Sequence, residues 1–512
     1  MRGPRWLNFF LPGAALGLAT VALVVIFGFL DLIISGRFRS IAQLLTPDPV
    51  AAAGTLGLAG GAEGAAIGIV LVVVVLGITM TASRYSPRII DVFVGDPVNG
   101  LVLGLFLGSI LFTFLVRAEL KTDFVPTLGV IAAVVLAFVD FVILLPYVAY
   151  IFDVMRAETL VVSIRRSARS NLHKAIRGRS PVVRRQRFLT SVAQIADIAA
   201  GSVRQADVPV SMAAIDSLSE LLVWEYLPGK ARLPEAWFEV GRQDLLGHSD
   251  QVVEHMVRNR TWLEHLVLST FLDMIGMTPV YQKEVVHAIA TATCQIGQAA
   301  LKSRDKEIQD LVVRYFNTYL RAALNQHVPA FAYSSMNEYR HLARACLDSR
   351  PELAVEIAGH LLDYGRFFEE ERMTQVRGAA VEDVSELAVA AEPLAPEVSR
   401  RLAALVASQL GTDARPSLVK PVLRLALWAR HGGHVETGKL LRGALSRVPL
   451  PVLTDCLERL QSTEDGVFRE VNERLVAFDW VPDELRGDIA GLRAELAAAG
   501  DGSPQRAISR QP

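Results

Sequence analysis

The stretch that decides the fold is IVLVVVVLGITMTASRYSPRIIDVFVGDPVNGLVLGLFLGSILFTFLV, Ile69 to Val116. Two uncharged apolar runs flank a dense polar knot. Inside lipid every backbone N–H and C=O must bond within its own segment, so an apolar run long enough to cross is a helix. The knot between them holds Arg84, Tyr85, Ser86, Pro87, Arg88, Asp91 and Asp96. Ser86 before Pro87 reads as a helix start, a capping hydroxyl followed by a residue whose missing N–H costs nothing in the first turn. Gly95 offers a stop, and Asp96 with Pro97 repeats the start signal. Between these punctuation marks Ile89, Ile90, Phe93 and Val94 alternate with Arg88 and Asp91, the pattern of a short segment lying in the membrane interface. Its arginines reach lipid phosphate, Asp91 or a neighbouring subunit. An elbow that anchors two helices is the plainer reading, a gate or ligand site the sharper one.

Working outward, a crossing needs about 20 mostly apolar residues. Leu11–Leu30, Gly64–Thr81, Val98–Val116 and Thr127–Ile151 qualify, the last preceded by Pro126. The first exceeds the apolar core of a signal peptide, about 7 to 15 residues, and no small-residue cleavage site follows it, so a retained helix is expected. Lys and Arg near helix ends stay in the cytoplasm. After the fourth run Arg156, Arg165, Arg166, Arg169, Lys174, Arg177, Arg179, Arg184, Arg185 and Arg187 face Glu158 alone, which predicts cytoplasmic N- and C-termini. Arg2, Arg5, Arg84 and Arg88 agree, while Arg37 and Arg39 fall on the other side.

The 512 residues carry 52 Lys and Arg against 53 Asp and Glu, but the long apolar runs lie almost wholly before Phe152. A two-part, all-α protein follows: a four-helix transmembrane domain at 1–152, a basic amphipathic juxtamembrane helix at 153–190, and a large cytoplasmic helical domain at 191–498. The Ala- and Glu-rich stretch near 375–395 is a candidate division of that domain, and 499–512 reads as a disordered tail. Three scattered cysteines, Cys294, Cys346 and Cys456, give neither a disulfide framework nor a zinc pattern and suit a reducing compartment.

Gly100, Gly104 and Gly108 recur every four residues along the third run, and Gly60, Gly64 and Gly68 do so on the approach to the second. Such rows expose backbone, and helices in lipid associate where small residues permit close approach. The expectation is a contact between subunits, with a groove for the second crossing of the same chain as its rival. Pro49 to Ser83 could form one helix of about 52 Å, too long for the bilayer unless it tilts or protrudes, and a bend is expected near Gly60 and Gly61.

Asp140 is the deepest ionisable residue, six positions before Pro146. A carboxylate there could bind a cation, carry a proton, or bond Ser109, Thr113 or Thr79 of another helix. No second central carboxylate stands out, and Glu63 and Asp31 read as reaching water. The tail opens with Leu160, Ile164, Ala168, Leu172 and Ile176 on one face of a helix, flanked by Arg165, Arg166, Arg169, Lys174 and Arg177. Anionic lipid is the partner this cluster fits, and nucleic acid is not expected. Beyond Ile195 helical periodicity runs throughout, in segments typical of paired antiparallel helices, a loose solenoid or irregular bundle.

The segment SRYSPRIIDVFVGDPVNGLVLGLFLGSILFTFLV resembles the hallmark of the bacterial predicted membrane proteins grouped as domain of unknown function 2254. That family has a Ser-Pro-Arg elbow, a Phe and an Asp, then a crossing with a Leu-Gly-x-Phe-x-Gly core. The matching residues here are Ser86, Pro87, Arg88, Phe93, Asp96, Leu103, Gly104, Phe106 and Gly108. Residues 195–218 depart from the family's Ser-Pro-Gly-Ile-Asn-Asp-Pro type segment. The resemblance implies a membrane protein with a cytoplasmic tail and brings no activity, cofactor or functional residues.

No catalytic, cofactor or metal motif appears. Gly433, Gly438 and Lys439 have phosphate-loop spacing, but Leu440 replaces the magnesium-binding Ser or Thr and a helical pattern precedes them, so a helix-to-helix turn is expected. His248 with His255, and His431 with His434, lack the remaining ligands of a zinc site. Two functions remain: an oligomeric channel or transporter-like pore with a cytoplasmic sensing or gating domain, and a membrane-anchored scaffold for a cytoplasmic protein partner.

Overall fold

The computed structural model describes residues 48–84, 97–121, 125, 127–154, 156–241, 249–411, 415–465 and 478–501. The expected first crossing, the elbow from Tyr85 to Asp96, and Arg2, Arg5, Asp31, Arg37, Arg39 and His248 lie outside the described residues, as does the tail beyond Asp501. Among the described residues the regular elements are helical. The chain forms two compact units, one of Met1–Arg166 with Ala193–Gly201, the other of Ser167–Val192 with Ser202–Pro512.

The first unit holds α1 (Pro49–Arg84), α2 (Pro97–Glu119) and α3 (Thr127–Val154), each packed on the other two. All three are long and apolar enough to cross a membrane, with mean hydropathies of 2.6, 2.2 and 2.6. α1 is a single helix of 36 residues, so the second expected crossing begins well before Gly64. α3 runs through Pro146. Where helices meet in lipid there is no hydrophobic drive, and close packing with interhelical hydrogen bonds must hold them. Two apolar layers supply that packing. One is Ala52, Leu56, Val116, Val130 and Ala133; the other is Val70, Val102, Phe106, Tyr147 and Ile151.

α4 (Ala157–Ile176) carries the basic cluster and α5 (Pro181–Arg204) follows it. The apolar face of α4 is consumed inside the protein, since Leu160, Ile164, Ala168 and Leu172 are buried. The second unit continues with α6 (Val208–Glu220), a π-helical turn Leu221–Tyr226 and short 3₁₀ turns, then α7 (Asp250–Arg258). After these come α8 (Trp262–Met277), α9 (Lys283–Ser303), α10 (Lys306–Asn325), α11 (Pro329–Cys346) and α12 (Pro351–Glu370). They are followed by α13 (Thr374–Ala391), α14 (Pro396–Ala407), α15 (Pro416–His431), α16 (Val435–Leu445) and α17 (Leu450–Ser462). From α8 to α16 each helix packs on the next, and from α8 to α17 each packs on the next but one. Two rows result, α9, α11, α13, α15 and α17 in one and α8, α10, α12, α14 and α16 in the other, the layering of paired helices in a solenoid.

The stretch near 375–395 forms α13, which packs on α11, α12, α14 and α15 in the middle of its row. Its acids are internal rather than linker-like: Glu382 pairs with Arg424, and Asp383 lies 3.4 Å from Arg340. Gly433 has φ of +70°, a left-handed turn that glycine adopts without strain, and it joins α15 to α16. The phosphate-loop spacing is therefore a helix-to-helix turn, with Lys439 on Glu436 at 3.4 Å. His431 and His434 pair with Asp488 at 2.9 Å and Glu392 at 3.1 Å.

Candidate functional site

A polar layer lies between the two apolar layers of the first unit, at the middle of the three membrane-length helices. The spacing is regular. On α1, Leu56, Glu63 and Val70 are seven residues apart, on α2 Val102, Ser109 and Val116, and on α3 Ala133, Asp140 and Tyr147. Seven residues make two helical turns, about 10.5 Å, so all three helices present one polar residue to the bundle axis at the same level.

Glu63 and Asp140 are both fully buried, and Ser109 is 2% exposed. The Ser109 hydroxyl donates to Glu63 Oε1 at 2.6 Å, and the Asp140 carboxyl adjoins both Ser109 and Glu63. Among the described residues, Glu63 Oε2, both Asp140 oxygens and Thr113 Oγ1 have no hydrogen-bond partner. The reading of Glu63 as a residue reaching water is thus overturned, and so is the absence of a second central carboxylate. Sequence order hid the pair because Glu63 sits among alanines and glycines that look like a helix end, whereas α1 extends from Pro49 and puts it deep inside. Thr79, one suggested partner of Asp140, instead donates to Val75 O of its own helix at 2.7 Å. The seven-residue spacing to apolar positions on each helix was the available signal.

The glycine rows divide. A Cβ at Gly60 would meet Thr113 Cγ2 at 3.3 Å, and one at Gly57 would meet Arg117 Nη1 at 2.8 Å. These two glycines make room for polar side chains of α2. Among the described residues a Cβ at Gly64, Gly68, Gly100, Gly104 or Gly108 would meet nothing within 4 Å, so the row on α2 faces away from the second crossing of the same chain. Arg84 ends α1, while Tyr85, Ser86, Pro87, Arg88, Asp91 and Asp96 are outside the described residues. On α4, Arg169 lies 3.1 Å from Glu225 and His173 lies 3.5 Å from the same carboxylate. Arg166 and Arg177 are exposed, and Arg165 and Lys174 are half-buried.

The second unit has an open groove of about 650 Å³ beside the π-helical turn, lined by Asp216, Glu220, Trp224, Gln295, Gln298 and Lys302. Trp224 is 72% exposed there. Below the turn, Lys230 bridges Glu264 at 2.8 Å and Asp305 at 3.0 Å. No sequence pattern marked this trio, because its members come from three separate elements. Among the described residues no cluster of three or more His, Cys, Asp or Glu side chains is arranged to hold a metal.

A solved structure of a circular tandem repeat protein with novel repeat topology and enhanced subunit contact surfaces is 12% identical. The match covers 91% of this chain and 98% of that one at a TM-score of 0.34, a likeness too slight to argue from. No curated protein matches the chain. The model of the family described as predicted membrane protein (DUF2254) matches residues 8–230, the segment that holds the three apolar helices and the basic helix after them.

Proposed function

We propose that the chain is an oligomeric channel or transporter-like protein of the bacterial inner membrane, whose large helical unit lies in the cytoplasm and senses or gates. One observation carries the reading: Glu63, Ser109 and Asp140 meet, buried, at the middle of three membrane-length helices. Carboxylates at bilayer depth cost free energy and usually mark an ion or proton pathway. Apolar layers on both sides of the cluster are what an occluded site between two gates requires. The basic cluster around α4 fits anionic lipid headgroups on the cytoplasmic face.

Purified protein in liposomes is expected to pass small ions under voltage, tension or a pH gradient, and Asp140→Asn to reduce that flux at least tenfold while the protein still folds. The amide keeps size and hydrogen bonding but not charge. Flux equal to the parent in Asp140→Asn would remove Asp140 from the pathway.

Oligomer formation is supported by the glycine row on α2, which the described helices leave uncovered. Among the described residues nothing lies within 4 Å of a Cβ at Gly104, so Gly104→Leu leaves the packing of α1, α2 and α3 intact and is expected to obstruct a second copy. Cross-linking in membranes should show dimers or higher species for the parent and monomers for Gly104→Leu. Unchanged oligomers would place the contact elsewhere.

The scaffold reading is favoured by Trp224, exposed beside a groove in the helical unit, where a cytoplasmic protein partner could seat. Absence of flux under every stimulus would favour it.

A further inference from the structure

Two carboxylates side by side in a low-dielectric interior cannot both stay ionised without a cation between them. Like charges a few ångströms apart repel strongly even when the surroundings are partly polarisable, and desolvation adds a further penalty for each. The charged residues of α1, α2 and α3 are Glu63, Arg84, Arg117, Glu119, Asp140 and Asp153. Only Glu63 and Asp140 are buried. Arg117, the nearest cation along α2, lies two turns or about 12 Å beyond Ser109. Tyr147, the other titratable group facing the axis, bonds Asn99 at 3.3 Å, on the far side of Phe106.

The layer is also asymmetric. Toward the C-terminal end of α2, Ser109, Thr113 and Arg117 succeed one another at four-residue intervals, and Gly60 and Gly57 stand opposite the last two, leaving them space. The Thr113 hydroxyl is unpartnered although only 3% exposed. A buried hydroxyl can accept and pass on a proton, and one left without a partner is poised to do so. Toward the other end Val70, Val102, Phe106, Tyr147 and Ile151 close the axis, and the Asn99–Tyr147 pair is the next polar group beyond Phe106.

Resting on the transport reading above, we infer that Glu63 and Asp140 form a proton-binding site. The pair holds one proton between two carboxylates and is loaded with a second through Thr113 and Ser109 from the Arg117 end. Loading takes the site from one negative charge to none. A hard metal cation takes about six or more oxygen ligands, whereas a proton needs one carboxylate oxygen, and among the described residues the layer offers two carboxylates and two hydroxyls and no larger cluster, so the cargo is a proton rather than a metal ion. In the arrangement of cytoplasmic termini, the Arg117 end faces outward and the Phe106 layer faces the cytoplasm.

The full-length protein in lipid nanodiscs can be tested by infrared difference spectroscopy at neutral pH. Subtracting the spectrum of the Glu63→Gln, Asp140→Asn double variant from that of the parent should leave a carboxylic-acid C=O stretching band that shifts in heavy water. Each single variant should alter that band. Thr113→Val, which keeps the shape and deletes the hydroxyl, should slow its hydrogen–deuterium exchange several-fold while Phe106→Leu does not. If the double variant fails to fold, the single variants give the same comparison. Superimposable parent and variant spectra would overturn the proton site, and exchange in Thr113→Val as fast as in the parent would overturn the route. Flux in liposomes without the acid band sinks the proton site and leaves transport standing; the band without flux does the reverse.

Discussion

Replacing Lys230 with methionine is expected to destabilise the helical unit by about 3–5 kcal/mol, because it strands a fully buried carboxylate. Lys230 Nζ lies 2.8 Å from Glu264 Oε1 and 3.0 Å from Asp305 Oδ2, and the Glu264 side chain has no solvent exposure. Asp305 has a second task as the N-cap of α10, accepting from Ile308 N at 3.3 Å. The trio thus ties the 3₁₀ turn at Leu227–Arg232 to the starts of α8 and α10. Burial by itself lowers the pKa of the Lys230 ammonium, but the neighbouring Glu264 and Asp305 carboxylates outweigh burial and hold it above the ordinary value. For a raised lysine pKa the sign is definite: the folded state binds the proton more tightly than the unfolded chain. The stabilisation is therefore complete below pH 10.5 and is lost as the pH climbs through the raised value. Urea unfolding of the detergent-solubilised protein, followed by circular dichroism, measures both effects. Lys230→Met with Glu264→Met should recover most of the loss, since an apolar pair needs no compensation. A single-variant loss below about 1 kcal/mol would show that Glu264 finds another partner or simply protonates.

Trp262→Ala is expected to cost a similar amount, about 3–5 kcal/mol, by opening a cavity that rigid neighbours cannot fill. Trp262 opens α8 and is fully buried, with its ring centroid 6.4 Å from Phe188 and 6.3 Å from Trp237. Phe188 and Trp237 are themselves 5.3 Å apart. Three aromatic rings from three elements therefore close one knot, and removing Trp262 strips the other two of the contact surface it supplies. The indole N–H of Trp262 has no hydrogen-bond partner among the described residues, so the loss comes from packing and not from a broken bond. That separates two variants. Trp262→Phe keeps most of the contact surface and should cost under half as much as Trp262→Ala in the same urea titration. Equal losses would mean that a hydrogen bond, not the packing, does the holding.

How much was legible differs from element to element. The three apolar helices were readable because hydrocarbon permits only one outcome for so long an apolar run. Helical pairing beyond Ile195 was readable from periodicity, and the layering of α8 to α17 follows once short connections force each helix back along its predecessor. The rejected phosphate loop was readable too, since a helical pattern precedes Gly433 where a strand is needed. The glycine rows were legible as packing features but not in direction. Nothing in the spacing of Gly100, Gly104 and Gly108 says which neighbour they face, and among the described residues no side chain or backbone fills the space beside them.

What the sequence by itself determined is the class of solvent each part meets, because hydrophobicity and periodicity are local sums along the chain. It fixed a membrane part, a helical part and a basic junction between them. Only the tertiary structure decided that Glu63 and Asp140, 77 positions apart, share one buried layer with Ser109. The same holds for Lys230 with Glu264 and Asp305. A carboxylate's chemistry depends on what stands within a few ångströms of it, and that is set by the register of one helix against another. In the bundle the register comes from apolar layers two turns to either side of the acids, contacts between residues that no local reading of the chain brings together.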